Sequence, residues 1–139
     1  MSGYLLDTNV ISEMAKAGRD PQVVSFLTEQ NDLWLSVIVV HELEFGAQTT
    51  QDAQHRSRVI AFYRSFFDRH TSRILPVERS IADRGAQLRT DARRAGRVLH
   101  LPDALIAGTA AVHNLILATR NVRDFAALGV NVVNPWESR

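Results

Sequence analysis

Cysteine is absent from the 139 residues, and with it go a disulfide framework, a thiolate zinc site and a cysteine nucleophile. A secreted disulfide scaffold and a zinc ribbon are both excluded, and a reducing cytoplasm is the expected compartment. Long apolar runs are missing too. Even a run such as Val37 to Val40 is far too short to span a bilayer, and the start shows no basic segment followed by an apolar stretch and a small-residue cleavage site. A soluble, unprocessed chain without membrane contact is expected. Lysine is the third shortage: of 16 basic residues only Lys16 is lysine. A GC-rich genome would produce that bias, but arginine also suits phosphate recognition because its planar fork binds two oxygens at once. A formal net charge of +1 requires any basic surface to be local.

What is present fits one domain, residues 1–139: 45% hydrophobic and 22% charged residues can bury a core without staples. Tyr4-Leu5-Leu6 reads as a buried strand, and Asp7-Thr8-Asn9 as the polar start of a helix through Val10, Ile11 and Met14, capped by Thr8 or Asn9. Gly18 to Pro21 breaks that helix, and Val23, Val24, Phe26 and Leu27 stripe the next. Leu33-Trp34-Leu35 reads as a second strand. Ser36 caps a helix to about Ala47. A helix from Thr50 to about His70 buries Val59, Ile60, Phe62, Tyr63, Phe66 and Phe67. Ile74 to Val77 is a short strand whose Pro76 suits an edge or an end. Ser80 to Ala95 is helical and stops at Gly96, Leu115 to Thr119 is the clearest buried strand, and Val130 to Val133 is the last. Strands and helices alternate throughout. The expected fold is therefore α/β: a three-layer arrangement with a parallel sheet of about five strands and helices on both faces.

Four acids stand out within that pattern. Asp7 ends the first strand. Glu42 lies on a helix face with Ile38, Val39, Phe45 and Gly46, so it is the acid directed inward, while Glu44 neighbours His41 and Gln48. A glutamate among apolar neighbours needs a partner, and a cation is a natural one; the plain alternative is a solvated boundary. Asp103 follows Pro102 at the start of a helix rich in small residues, where it is either a site residue or an acid favoured by the helix dipole. Asp124 follows Arg120-Asn121-Val122-Arg123 at the carboxyl end of the strongest strand, where open α/β sheets place ligands, or else it caps the short turn before Phe125.

Asp7 and the Asn121–Asp124 cluster are expected at the same edge of neighbouring strands, with Glu42 and Asp103 delivered by helices. Crowded carboxylates repel, which raises and couples their pKa values. A hard divalent cation relieves this, and Mg²⁺, or Mn²⁺ in its place, takes a few carboxylate oxygens while keeping water and phosphate oxygens around it. Such an ion polarises a phosphate and acidifies a water that attacks phosphorus in line. Arg89, Arg93, Arg94 and Arg97 precede Asp103 and suit an RNA or partner contact, although a solvated helix face explains each singly. Trp136 is expected to close the core.

Four segments in this order resemble a PIN domain, specifically the toxin ribonucleases of the VapBC and FitAB kind. They are Leu5-Leu6-Asp7-Thr8-Asn9-Val10-Ile11-Ser12; Ser36 to Gly46 with His41-Glu42-Leu43; Leu101-Pro102-Asp103-Ala104-Leu105-Ile106-Ala107; and Ala118 to Phe125 with Asn134-Pro135-Trp136. The resemblance covers nearly the whole chain. It implies a Mg²⁺-dependent ribonuclease that forms homodimers and is held inactive by a small antitoxin encoded beside it. Its matching positions make Asp7, Glu42, Asp103 and Asp124 catalytic, with Asp7 and Asp103 on the metal and Thr8 and Asn121 in support. Asn121 departs from relatives that carry aspartate there, which leaves one or two metals open.

Two other classes fail on particular residues. A haloacid-dehalogenase-type phosphatase needs an acid where Asn9 stands and a later lysine, and a phospho-receiver module lacks its paired acids and late lysine in the same way. The remaining alternative is a PIN-like module that binds RNA or protein with little turnover.

Overall fold

The computed structural model describes residues 3–137. Its central strand, β1 (Tyr4–Leu6), is buried along its whole length, as a strand covered on both faces must be. The chain continues through α1 (Thr8–Met14), α2 (Pro21–Glu29), β2 (Leu33–Ser36), α3 (Val37–Gln48), α4 (Ala53–Arg69), a 3₁₀ turn (Thr71–Arg73) and β3 (Ile74–Leu75). It ends with α5 (Arg79–Arg94), α6 (Leu101–Val112), β4 (Ile116–Ala118), α7 (Val122–Ala126) and β5 (Val132–Val133). All strand pairs are parallel, in the order β3-β2-β1-β4-β5. The chain winds outward from β1 to β3, crosses back, and resumes at β4. Right-handed crossovers then put α1 to α4 on one face and α5 to α7 on the other, and the winding reverses between β1 and β4.

Local chemistry sets the element boundaries. Asp20, Ser36 and Asp52 accept from first-turn amides of α2, α3 and α4, and Pro21 occupies the first turn of α2, where its missing N–H is no loss. Gly96, at φ 77°, ends α5 in the left-handed region, and the Arg97 N–H returns to the Ala92 carbonyl at 2.9 Å. β3 stops before Pro76 and lies at the sheet edge, as a proline requires. At the far end of the sheet from Asp7, Trp34 Nε1 donates to Asp32 Oδ1 at 2.8 Å, and Arg73 both pairs with Asp32 and lies 4.6 Å over the Trp34 ring. That knot ties the edge strand to β2.

Leu5, Leu6, Ile11, Leu35, Ile106, Leu117 and Phe125 are fully buried and join sheet and helices into one core. α5 and α6 approach closely because glycines meet between them: a Cβ on Gly108 would lie 3.0 Å from the Ile81 carbonyl oxygen and 3.2 Å from the Gly85 nitrogen. α4 departs from expectation. Tyr63, Phe66 and Phe67 are buried, but Val59, Ile60 and Phe62 are only partly covered; Val59 and Phe62 line an open cleft whose other wall includes Met14 of α1. Trp136 packs against the core and carries Arg120 stacked 4.6 Å over its ring. Among the described residues no helix is long and apolar enough to cross a membrane.

Candidate active site

Parallel pairing of Leu6 with Ala118 brings the next residues, Asp7 and Thr119, opposite each other where the winding reverses. Asp7 is 4% exposed. Its amide donates to the Ala118 carbonyl at 2.9 Å, its Oδ1 accepts from the Thr8 amide at 2.8 Å, and its Oδ2 accepts from the Thr119 hydroxyl at 2.7 Å. Asp7 is therefore the N-cap of α1, in place of the expected Thr8 or Asn9: its backbone is extended, with ψ 160°, and the helix begins one residue later. Burial raises its pKa above the ordinary carboxylate value, the Thr119 and Thr8 bonds oppose that rise, and the negative charge of Glu42 adds to it.

Ser36 starts α3 by accepting from the Ile38 amide at 3.0 Å, which leaves Glu42 on the second turn facing α1. Its Oε1 accepts from the Thr8 hydroxyl at 2.6 Å. Thr8 thus serves both acids, Asp7 through its amide and Glu42 through its hydroxyl. The expected apolar face around Glu42 is only half present. Val39 is buried and Ile38 partly so, but Phe45 is 64% exposed and Gly46 is exposed, so Glu42 sits at a boundary, partly covered. Glu44 is also partly covered and pairs with Arg64 at 3.6 Å.

Asp103 occupies the first turn of α6, after the N-cap His100 and next to Pro102. Its pKa is pushed up to about 6 from 3.8, first by burial, then by the negative charges of Asp7 and Glu42, with Asp124 adding a smaller push against the opposing pull of His100. All four acids therefore bear on one position. Asp124 is exposed in the first turn of α7, whose N-cap is Asn121 and not Asp124, and its charge adds to the rise at Asp103. Asn121 is the exposed N-cap of α7, and its amide donates to the Thr119 hydroxyl at 3.0 Å.

Thr119 is the residue that sequence reasoning passed over. Its hydroxyl donates to Asp7 and accepts from Asn121, so it joins the strand-end acid to the loop that carries Asp124. A polar residue closing an otherwise apolar strand was the available signal. Pairing it with Asp7 required knowing that β4 lies beside β1.

The donor set is oxygen throughout and rich in carboxylates, and burial together with the neighbouring negative charges lifts the pKa of one of them, Asp103, to about 6; this chemistry fits Mg²⁺ or Mn²⁺. Among the described residues no three His, Asp or Glu side chains converge closely enough to enclose an ion. The fit is to an ion that takes one or two carboxylates and keeps its waters, with Asp7 and Asp103 as the residues that would hold it.

Residues 4–131 match the PIN domain family. The chain belongs to that family. Toxin FitB of Neisseria gonorrhoeae is 36% identical over 135 residues, covering 95% of this PIN domain and 97% of its relative. The VapC ribonuclease Y4jK of Sinorhizobium fredii is 34% identical over 140 residues, covering 96% and 97%. The crystal structure of FitAcB from N. gonorrhoeae superposes with a TM-score of 0.90 at 35% identity, over 97% of this chain and 99% of the other. The PIN domain described here is thus one of the VapC and FitB group, and its five-stranded parallel sheet with seven helices among the described residues is theirs.

Proposed function

We propose that this PIN domain, residues 1–139, is the toxin of a toxin–antitoxin pair and a ribonuclease that hydrolyses RNA phosphodiester bonds with Mg²⁺, or Mn²⁺ in its place. The observation that carries the proposal is the buried Asp7 at the seam between β1 and β4, its oxygens held by the Thr8 amide and the Thr119 hydroxyl and Glu42 joined to it through the Thr8 hydroxyl. Acids repelling one another at the ligand-binding edge of a parallel sheet make sense as a site for a cation and a phosphate.

Asp7 and Asp103 hold the ion, which when bound polarises the scissile phosphate and lowers the pKa of water beside it. Thr119 and the Thr8 amide fix both oxygens of Asp7, so its orientation is set before substrate arrives. Glu42, held by the Thr8 hydroxyl, takes the proton of the attacking water. Asp124 and Asn121 stand at the exposed rim and orient water and ribose. The oxygen leaving phosphorus departs in line with the attacking one, and the P–O bond to it breaks.

Two surfaces support protein partners. A cleft of about 390 Å³ between α1 and α4 has an apolar floor of Met14, Val59 and Phe62 and a basic rim of Lys16, Arg19 and Arg58, which suits an apolar antitoxin segment carrying acidic residues. The exposed large hydrophobics among the described residues, Val37, Phe45, Val98, Leu101 and Val112, all lie on α3, on α6 or on the loop leading to α6. That concentration suits a homodimer, since contiguous exposed apolar patches mark interfaces.

A second reading, a PIN-like binder of RNA or protein with little turnover, draws on the absence of a closed three-acid cage among the described residues. Incubating total RNA with antitoxin-free protein in Mg²⁺, Mn²⁺ and chelator, beside Asp7→Asn, decides between them. Discrete fragments that need metal and vanish in the variant support the nuclease. RNA retention without cleavage, equal in the variant, supports the binder.

A further inference from the structure

Arg89 was grouped by sequence with Arg93, Arg94 and Arg97 as a contact for RNA or a partner. The structure separates it from them: Arg89 Nε donates to the Leu99 carbonyl at 3.1 Å, across the turn that joins α5 to α6. Leu99 immediately precedes His100, the N-cap of α6, and Asp103 lies in the first turn that follows.

In that first turn Ala104 is fully buried against the Gly85 backbone, but the turn has no side-chain cap. His100 makes no side-chain cap bond, unlike the caps of α2, α3 and α4, so the opening amides of α6 lack the usual local anchor. The connecting turn leaves α5 through Gly96 in the left-handed region and exposes Val98 and Leu101. The Arg97 amide bonds back to the Ala92 carbonyl at the start of this turn, and nearer α6 the buried Leu99 side chain and the bond from Arg89 attach it to the body of the protein. A guanidinium donor makes this a charge-assisted bond, stronger than one between neutral groups. Gly85 against the Ala104 carbonyl and Gly108 against Ile81 set the spacing of α5 and α6, and Arg89 adds a tether to the residue just before the α6 N-cap.

We infer that Arg89 is a positioning residue for the metal site: by holding the Leu99 carbonyl it sets where α6 begins, and so where Asp103 stands relative to Asp7. The inference rests on the proposed metal-dependent reading of these acids. It assigns Arg89 no contact with the ion or with RNA, which distinguishes it from Arg93 and Arg94.

The test is Mn²⁺ titration of the full-length, antitoxin-free protein, followed by electron paramagnetic resonance, for wild type, Arg89→Ala, Arg89→Met, Arg89→Lys and Arg89→Ala/His100→Ser. The alanine and methionine variants, which lack a donor for the Leu99 carbonyl, are expected to bind Mn²⁺ about 5- to 10-fold more weakly, with an RNA-binding salt dependence equal to wild type. Lysine keeps a charged donor on a long stem and is expected to recover part of the loss. The added serine supplies the missing cap to the first turn and is expected to recover part as well. The methionine variant keeps the stem without the donor and decides the matter if the alanine variant does not fold. Mn²⁺ affinity within twofold of wild type in the folded variants would overturn the inference, as would a salt slope reduced by about one with metal affinity unchanged, the signature of a lost phosphate contact. Absence of Mn²⁺ binding by the wild type would overturn the proposed function itself, a separate result.

Discussion

Thr119 and Asp7 face each other across the seam where the sheet changes its direction of winding, and the hydroxyl of one fills a lone pair of the other at 2.7 Å. The hydrogen bond lowers the pKa that burial raises, so it favours the ionised form and aims the acid. Thr119→Val preserves the shape and removes the donor, leaving a buried carboxylate oxygen without its partner. The expected cost is about 1 to 3 kcal/mol of stability, together with weaker Mg²⁺ dependence of cleavage. Chemical denaturation and a metal titration of RNA cleavage check the two effects.

Asp7→Asn and Asp103→Asn should separate chemistry from folding. Asparagine is as good an N-cap as aspartate, so α1 keeps its start, and either change removes a charge from a repelling cluster. Cleavage is expected to fall at least about 100-fold, while the metal-free melting temperature stays level or rises. A variant that unfolds would assign that acid a structural role.

Asp103 gives the metal-free protein a specific pH response. Its folded pKa of about 6 lies above the ordinary 3.8, so the folded state holds the proton more tightly than the unfolded state. Below pH 3.8 both states are protonated and the contribution of the neutral carboxyl to stability is fully present. As pH rises from 3.8 to about 6 the unfolded chain ionises first, and this contribution to stability is lost across that window. Allowing for solvent screening of a partly exposed group, the loss is roughly 1 to 2 kcal/mol. The difference in unfolding free energy between wild type and Asp103→Asn, followed from pH 3.5 to about 7 without metal, should change by that amount in that direction; saturating Mg²⁺ should shrink it.

Arg93 and Arg94 are exposed in the last turn of α5, on the approach to Asp103. Replacing both with alanine is expected to weaken RNA binding and reduce the slope of log affinity against log salt by about 1 to 2, with Mn²⁺ affinity unchanged. A slope equal to wild type would return them to the solvated surface.

Gly108→Ala tests how tightly α5 and α6 are joined. The new methyl would lie 3.0 Å from the Ile81 carbonyl oxygen, in contact with backbone that moves only if the helix moves. Thermal unfolding should show a loss of about 1 to 3 kcal/mol, despite the better intrinsic helix propensity of alanine.

Much of this was legible in the sequence, for identifiable reasons. Tyr4-Leu5-Leu6 and Leu115 to Thr119 are apolar runs bounded by polar turns, and both are buried strands. Gly96, Pro76 and Ser36 end or begin their elements where backbone chemistry requires. The convergence of Asp7, Glu42, Asp103 and Asp124 followed from their places at strand ends and helix starts, and the structure brings their charges to bear on one another. Illegible were the features that depend on which elements become neighbours. Thr119 pairs with Asp7 across a separation of 112 positions, Thr8 bonds Glu42 across 34, and Arg89 reaches Leu99 across a turn; no local pattern marks any of these. The cap of α1 was misplaced by one residue because the same aspartate ends a strand and begins a helix, and a side chain so placed reads equally well as either.

The order β3-β2-β1-β4-β5 has a consequence for the time at which the protein becomes competent. Asp7 is made almost first and Thr119 almost last, and the strand that must lie beside β1 to join them comes after four fifths of the chain, at Ile116–Ala118. A nascent or truncated chain therefore carries three of the four acids without the partner that aims the first. If the acids act as proposed, a chain that stops before Ile116 lacks the bond that aims Asp7 and is expected to lose cleavage although three of the acids are present.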